Sequence, residues 1–226
     1  SRGLGDVYKR QLDYCGYPKD AFWYYKAWWT NEPVLHILPH WNGIGTDSVD
    51  VQLYTNMNEV ELFLNNKSLG KKTIGKYDIP TWRVKYTPGK LTAKGKMGSK
   101  KYVTTVETTG KATSLQLTSE TGNSIKGDGN DIAIITVKIV DSKKRLVPTA
   151  NHRICFKVEN GIVLGVGNGN PSCHEPDVFP QGVLVERSAF SGYAQLIIRS
   201  DRSGKPINIV ATSEHLNESQ IQISIR

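Results

Sequence analysis

Few residues in this 226-residue chain have the type and spacing that chemistry requires. Retaining cleavage of a glycosidic bond uses two carboxyl groups about 5–5.5 Å apart, one of them serving as acid and then base. Two Asn-Glu pairs, Asn31-Glu32 and Asn217-Glu218, offer a suitable side chain. In a barrel enzyme such a glutamate stands at the C-terminal end of a buried parallel strand. Glu32 instead follows an aromatic helical segment, and Glu218 falls in a polar turn before the last strand. No apolar strand leads into either one, so both read as surface residues and no catalytic residue is assigned.

Metal and phosphate chemistry fare no better. His36 and His40 are four residues apart, but Pro39 excludes a helix, and on a strand they would lie about 13 Å apart. Cys173-His174-Glu175 gathers possible ligands in a long polar loop, Asn168–Gly182, without the second close ligand pair of a zinc site. Gly165-Val166-Gly167-Asn168-Gly169 is glycine-rich, yet no helix follows to turn its N-terminus toward a phosphate. No metal or cofactor is expected. Cys15, Cys155 and Cys173 are too few and too scattered for a disulfide framework. They read as unpaired buried thiols, with a Cys155–Cys173 bridge as the alternative. Trp41 could stack on a sugar ring through its apolar face, or simply pack at a domain junction.

The elements that would position these groups are mostly strands. Hydrophobic residues make up 38% of the chain and charged residues 22%, enough apolar material for a core and too much for a disordered chain. The longest apolar runs are strand-sized, so no segment is a membrane-spanning helix. The one helical segment, Pro18–Trp29, sets Phe22, Tyr25 and Trp29 on one face, a spacing that buries a stripe. So short a helix needs a partner surface, and nothing before it in the sequence supplies one. Ser1–Gln11 has no periodicity and reads as a non-native, adaptor-derived segment, leaving the native start missing.

From Val49 onward the period is two. Val49/Val51/Leu53, Val60/Leu62/Leu64 and Trp82/Val84/Tyr86 alternate with polar neighbours, and Leu91–Lys96 and Tyr102–Thr108 complete a small module. After the linker Gly110-Lys111-Ala112 come seven strand-like runs between Ser114 and Ile225, the count of an immunoglobulin-like sandwich. The expected fold is therefore mainly β: two consecutive immunoglobulin-like β-sandwich domains, 45–110 and 111–226, preceded by one short α-helix in a segment 12–44 and by the non-native residues 1–11.

The net charge of +8 is concentrated in the first sandwich. Between Glu59 and Lys111 there are twelve basic residues, eleven of them lysine, and four acids. A phosphate-binding surface could use such charge. Lysines in turns and at strand edges also discourage edge-to-edge association. That second reading, a solvated surface with no nucleic-acid partner, is preferred, with an acidic partner as the alternative.

Several of these residues together resemble the family 2 glycoside hydrolases of the β-galactosidase type. Leu12-Asp13-Tyr14-Cys15-Gly16-Tyr17-Pro18-Lys19-Asp20, Trp23-Tyr24-Tyr25-Lys26 and His36-Ile37-Leu38-Pro39-His40-Trp41-Asn42 are similar to the end of that family's catalytic barrel. Glu59–Gly70 and Trp82–Leu91 resemble the small sandwich after the barrel, with Asn66 where the family more often has Gly. Val166–Pro171 and His174-Glu175-Pro176 resemble its C-terminal immunoglobulin-like domain. The resemblance implies a retaining exo-glycosidase whose two catalytic glutamates lie upstream of Leu12, with a helix left over from the truncated (β/α)8 barrel. It further implies a carbohydrate substrate, the barrel as the missing partner, and a periplasmic or extracellular location. Trp41, Asn168, Asn170, His174 and Glu175 are the candidates for the substrate rim. A non-catalytic carbohydrate-binding or adhesive module is the competing reading.

Overall fold

The computed structural model describes residues 11–43 and 47–226, so most of the expected adaptor segment and the Ile44-Gly45 break lie outside the described residues. The protein is mainly β and divides into two compact units, each with its own apolar cluster.

The first unit comprises Leu12 and Pro18–Thr109. It contains α1 (Asp20–Trp29), β1 (Leu35–Leu38), β2 (Ser48–Thr55), β3 (Glu59–Leu64), β4 (Lys67–Thr73), β5 (Thr81–Lys85), β6 (Lys90–Met97) and β7 (Lys100–Glu107). The strands form two sheets, β1-β2-β5 and β4-β3-β6-β7. The two-residue period does the work here. Val49, Val51, Leu53, Trp82 and Val84 from one sheet and Val60, Leu62, Leu91 and Ala93 from the other are buried in a single cluster. The β3–β4 hairpin turns through Asn65 and Asn66 at φ 48° and 68°, the left-handed pair that a two-residue turn needs and that Asn tolerates. Asn66 thus fills the position where glycine was the expected residue.

The helix corrects two expectations. It starts at Asp20, because Lys19 is extended and its N–H is held by the Gln11 carbonyl at 2.9 Å, so Pro18 precedes the first turn. The side that packs on its own unit is also not Phe22/Tyr25/Trp29. Trp23 stacks on His36 (ring centroids 5.3 Å apart), Tyr24 meets Tyr54 edge-on (5.3 Å), and Trp28 meets Tyr77 (5.1 Å), with Ala27 buried between them. Tyr25 and Trp29 pack on each other at 4.7 Å, and Trp29 is 72% exposed.

The second unit comprises Asp13–Tyr17 and Gly110–Arg226. Its strands are β8 (Ala112–Ser119), β9 (Ser124–Ile125), β10 (Ile132–Asp141), β11 (Arg153–Glu159), β12 (Gly161–Gly167), β13 (Val185–Ser188), β14 (Tyr193–Ser200), β15 (Ile207–Ser213) and β16 (Leu216–Ile225). They run in the order β12-β14-β10-β8-β16-β15-β11-β13, with β9 beside β16. All but two of the pairings are antiparallel; β16 runs parallel to β8 and β9. The seven runs expected from the sequence are all strands, and β9 and β13 are additional. Ile135, Ile139, Ile154, Leu196, Ile198 and Ile207 fill the interior. At the end of β10 the buried Asp141 carboxylate gathers the Gly110, Lys143 and Arg145 backbone N–H groups and the Arg145 guanidinium, at 2.6–3.0 Å. All three cysteines are free and half-buried, so Cys155 and Cys173 form no bridge.

Candidate functional site

The loop joining β12 to β13 carries four of the five candidate residues, and glycine spacing decides how it is held. Gly165, Gly167 and Gly169 are spaced two apart and each admits a close neighbour: a Cβ on Gly165 would lie 3.1 Å from the Asp177 carbonyl oxygen. A Cβ on Gly167 would lie 2.8 Å from the Cys15 sulfur, and one on Gly169, which has φ +76°, would strike the Asp13 carboxylate. The glycine run is a track on which the Asp13–Tyr17 segment lies, not a phosphate loop. That segment is a compact turn: the Asp13 carboxylate accepts the Cys15 and Tyr17 N–H groups at 2.8 and 2.9 Å. Gln195 donates to the Cys15 carbonyl at 3.1 Å, and the Tyr17 hydroxyl lies 3.0 Å from that of Thr136. Burial, reinforced by the Asp13 charge, pushes the Cys15 thiol up to about 11, so it is held as an unreactive thiol at neutral pH.

The loop itself is tied down by a residue that the sequence reading missed. Arg187 on β13 is 5% exposed. Its guanidinium donates to the Glu175 and Pro176 carbonyls (3.0 and 3.4 Å), reaches the Asn168 side-chain oxygen (3.4 Å) and pairs with Asp177 at 2.9 Å. Asn168 is buried and works with it, donating to the Ser188 carbonyl at 2.8 Å and accepting the Asn170 N–H at 3.0 Å. Glu175 accepts both the backbone N–H and the hydroxyl of Ser188. Burial pushes its carboxyl up, but the Ser188 hydrogen bonds and the Arg187 and Arg153 charges outweigh burial and hold it below the usual glutamate value. An acid catalyst needs the opposite shift. Glu175 is therefore built as a fixed anion that closes the loop.

His174 and the amide NH2 of Asn170 remain available, the Asn170 side-chain oxygen being taken by the Ser172 N–H at 3.0 Å. Asn170 lines a cavity of about 330 Å³ together with Tyr14, Cys15, Asn168, Arg187 and Gln195. This falls in the lower part of the size range of small-ligand pockets, and its wall mixes these polar groups with apolar surface from Val166, Val178 and Ile197. His174 is exposed at the turn of the same loop. Trp41, by contrast, is 1% exposed in the core of the first unit. Its indole N–H donates to the Thr87 carbonyl at 2.9 Å, its own carbonyl accepts the Thr108 hydroxyl, and its ring leans on Tyr86. No face of the indole is open to a sugar, so Trp41 is a packing residue and leaves the list of rim candidates. Glu32 pairs with Lys26 at 2.6 Å on the surface, and Glu218 is not in a turn but on β16. Among the described residues no His, Cys, Asp or Glu cluster could hold a metal ion.

Comparison with known proteins places these features in context. A family model described as Glycoside hydrolase family 2 C-terminal domain 5 matches residues 115–222, and a domain of unknown function, DUF4982, matches 46–103. A β-galactosidase of Bacteroides ovatus is 36% identical over 221 residues, covering 94% of this chain and 25% of its own length. A β-glucuronidase of Formosa agariphila is 34% identical over 173 residues, 72% of this chain and 17% of its own. Among solved structures, a β-glycosidase from Bacteroides vulgatus superposes with a TM-score of 0.87 at 30% identity, over 95% of this chain and 28% of its own. This chain thus spans about a quarter, or less, of the length of the curated relatives it matches.

Proposed function

We propose, for a chain that carries the C-terminal domains of glycoside hydrolase family 2, that it serves as the accessory portion of a retaining β-galactosidase hydrolysing O-glycosyl bonds. The observation that carries this reading is the 36% identity to the Bacteroides ovatus β-galactosidase across 94% of the chain. The site geometry supports an accessory role. Glu175 and Asp177, the two carboxylates of this loop, are committed to Ser188 and Arg187 and are not arranged as acid and nucleophile. The two catalytic glutamates belong to the barrel of the longer protein, which acts in the periplasm or outside the cell. Asn170 and His174 are the substrate-rim residues of this portion, on the loop that Arg187, Asn168 and Glu175 brace.

The test compares this chain with the protein encoded by the gene extended upstream, each assayed on chromogenic β-galactoside and β-glucuronide. The longer protein is expected to cleave the galactoside and the 226-residue chain to cleave neither. Turnover by the short chain with Glu32 and Glu218 both changed to Gln would overturn the accessory reading. Preference of the longer protein for the glucuronide would overturn the choice of sugar. The cavity beside Asn170, which sets polar side chains among apolar surface, favours one second reading, a carbohydrate-binding module, and binding on a glycan array that His174→Ala or Asn170→Ala abolishes would support it.

A further inference from the structure

The outer face of the β4-β3-β6-β7 sheet carries a charge arrangement that edge protection does not explain. Pairing registers put Lys71, Glu61, Lys94 and Val103 in one row across the four strands. Thr73, Glu59, Lys96 and Lys101 form the next row on the same face. Lys94 and Lys96 stand on β6, an interior strand flanked by β3 and β7, where no edge needs blocking. Lys96 lies directly opposite Lys101, a like-charged cross-strand pair that destabilises a sheet. Lys71 is taken up by Glu59 at 2.9 Å, whereas Lys94, Lys96 and Lys101 stand exposed. Apolar surface lies among them: the Lys94 ammonium rests over the Phe63 ring, 4.4 Å from its centroid, and Val103 is 63% exposed. A shallow cavity of about 240 Å³ opens between these lysines.

We propose that this face binds an anionic polysaccharide, with Lys94, Lys96 and Lys101 meeting its carboxylates and Val103 meeting the apolar face of a sugar ring. The proposal rests on the glycosidase reading for its choice of a saccharide, and on the exposed Lys94, Lys96 and Lys101 for its charge. Lys94 and Lys96 lie about 7 Å apart along the strand. That spacing suits charges carried at intervals along a chain. Duplex DNA presents one charge per about 1.7 Å of axis, and the two glutamates in the middle of the face would oppose so dense a line of phosphates. Toward a saccharide the same glutamates accept hydrogen bonds from hydroxyl groups.

The experiment is affinity electrophoresis of the 226-residue protein through gels holding polygalacturonate, neutral galactan or duplex DNA, at low and high salt. Polygalacturonate is expected to retard the protein, with neutral galactan and DNA much weaker. K94Q/K96Q/K101Q is expected to bind polygalacturonate roughly tenfold more weakly, since each exposed ion pair contributes a modest amount. Those three side chains are exposed, and circular dichroism checks that the variant remains folded. Absence of retardation, retention unchanged in the triple variant, or retardation of the protein by DNA as strong as by polygalacturonate would each overturn the proposal. Hydrolysis of a small chromogenic galactoside by the longer protein is a separate readout, so failure on the gel leaves the glycosidase reading standing.

Discussion

Asp141 shows how much one buried carboxylate can organise. Burial pushes its carboxyl up, but the Arg145 guanidinium and the Gly110, Arg145 and Lys143 N–H groups outweigh burial and hold it well below the ordinary 3.8. A folded-state value below the unfolded one contributes stability that is fully present above pH 3.8 and lost as the pH falls through and below that value. Asp141→Asn removes the charge and leaves the guanidinium and three N–H groups short of an acceptor. We expect it to cost about 2–4 kcal/mol at pH 7, below the upper end for a buried pair because Arg145 is partly exposed. Urea titrations at pH 7 and pH 3 check this: the gap between wild type and variant should narrow at pH 3. A gap that stays constant or widens contradicts the account. Nothing in the local sequence Asp141-Ser-Lys-Lys-Arg145 announces burial, because an Asp closing a turn usually faces water.

At the scale of the element, a strand was legible where one face is dry. Val49, Val51 and Leu53 announce β2, and Trp82 and Val84 announce β5, because alternate residues enter a shared core. β4, with the sequence KSLGKKT, buries no residue, and its ladder to β3 leaves no alternation to read. β13 pairs with a single neighbour, β11, and is held as much by Arg187 as by burial. The helix misled for a related reason. Periodicity identifies apolar positions but not which of two apolar faces a given neighbour takes, and in α1 nearly every position is aromatic. In the candidate loop Asn168, Asn170, His174 and Glu175 could be singled out, but the Arg187 brace lies twelve or more residues away in sequence and no motif marks it. The glycine track carries a prediction of its own. Gly167→Val drives a side chain into the Cys15 sulfur, so the Asp13–Tyr17 turn should lift. Mass spectrometry after maleimide labelling should find Cys15 modified at least about tenfold faster than in wild type. An unchanged rate would mean that the turn does not depend on the track.

For the molecule as a whole, chemistry and architecture are separated. Two self-contained apolar clusters provide the stability of their units, while the polar residues that could meet a ligand stand outside them, on the loop after β12 and on the outer face of the β4-β3-β6-β7 sheet. Charge follows the same division: the first sandwich holds the excess lysines, and the second holds the cavity beside Asn170 and its brace. The path of strands in the second unit begins at β12 and ends at β13, and the chain between these two boundary strands is the long loop of the candidate site. Toward its end this crossover leaves Val178, Val183 and Leu184 exposed. Subtilisin cleaving there would split the polypeptide without parting it, because β13 stays zipped to β11 and Arg187 still grips the carbonyls of Glu175 and Pro176 on the other side of the cut. The severed halves should travel as one species on a sizing column and separate only in detergent, so a proteolytic scar in this protein would go unseen by any method that leaves it folded.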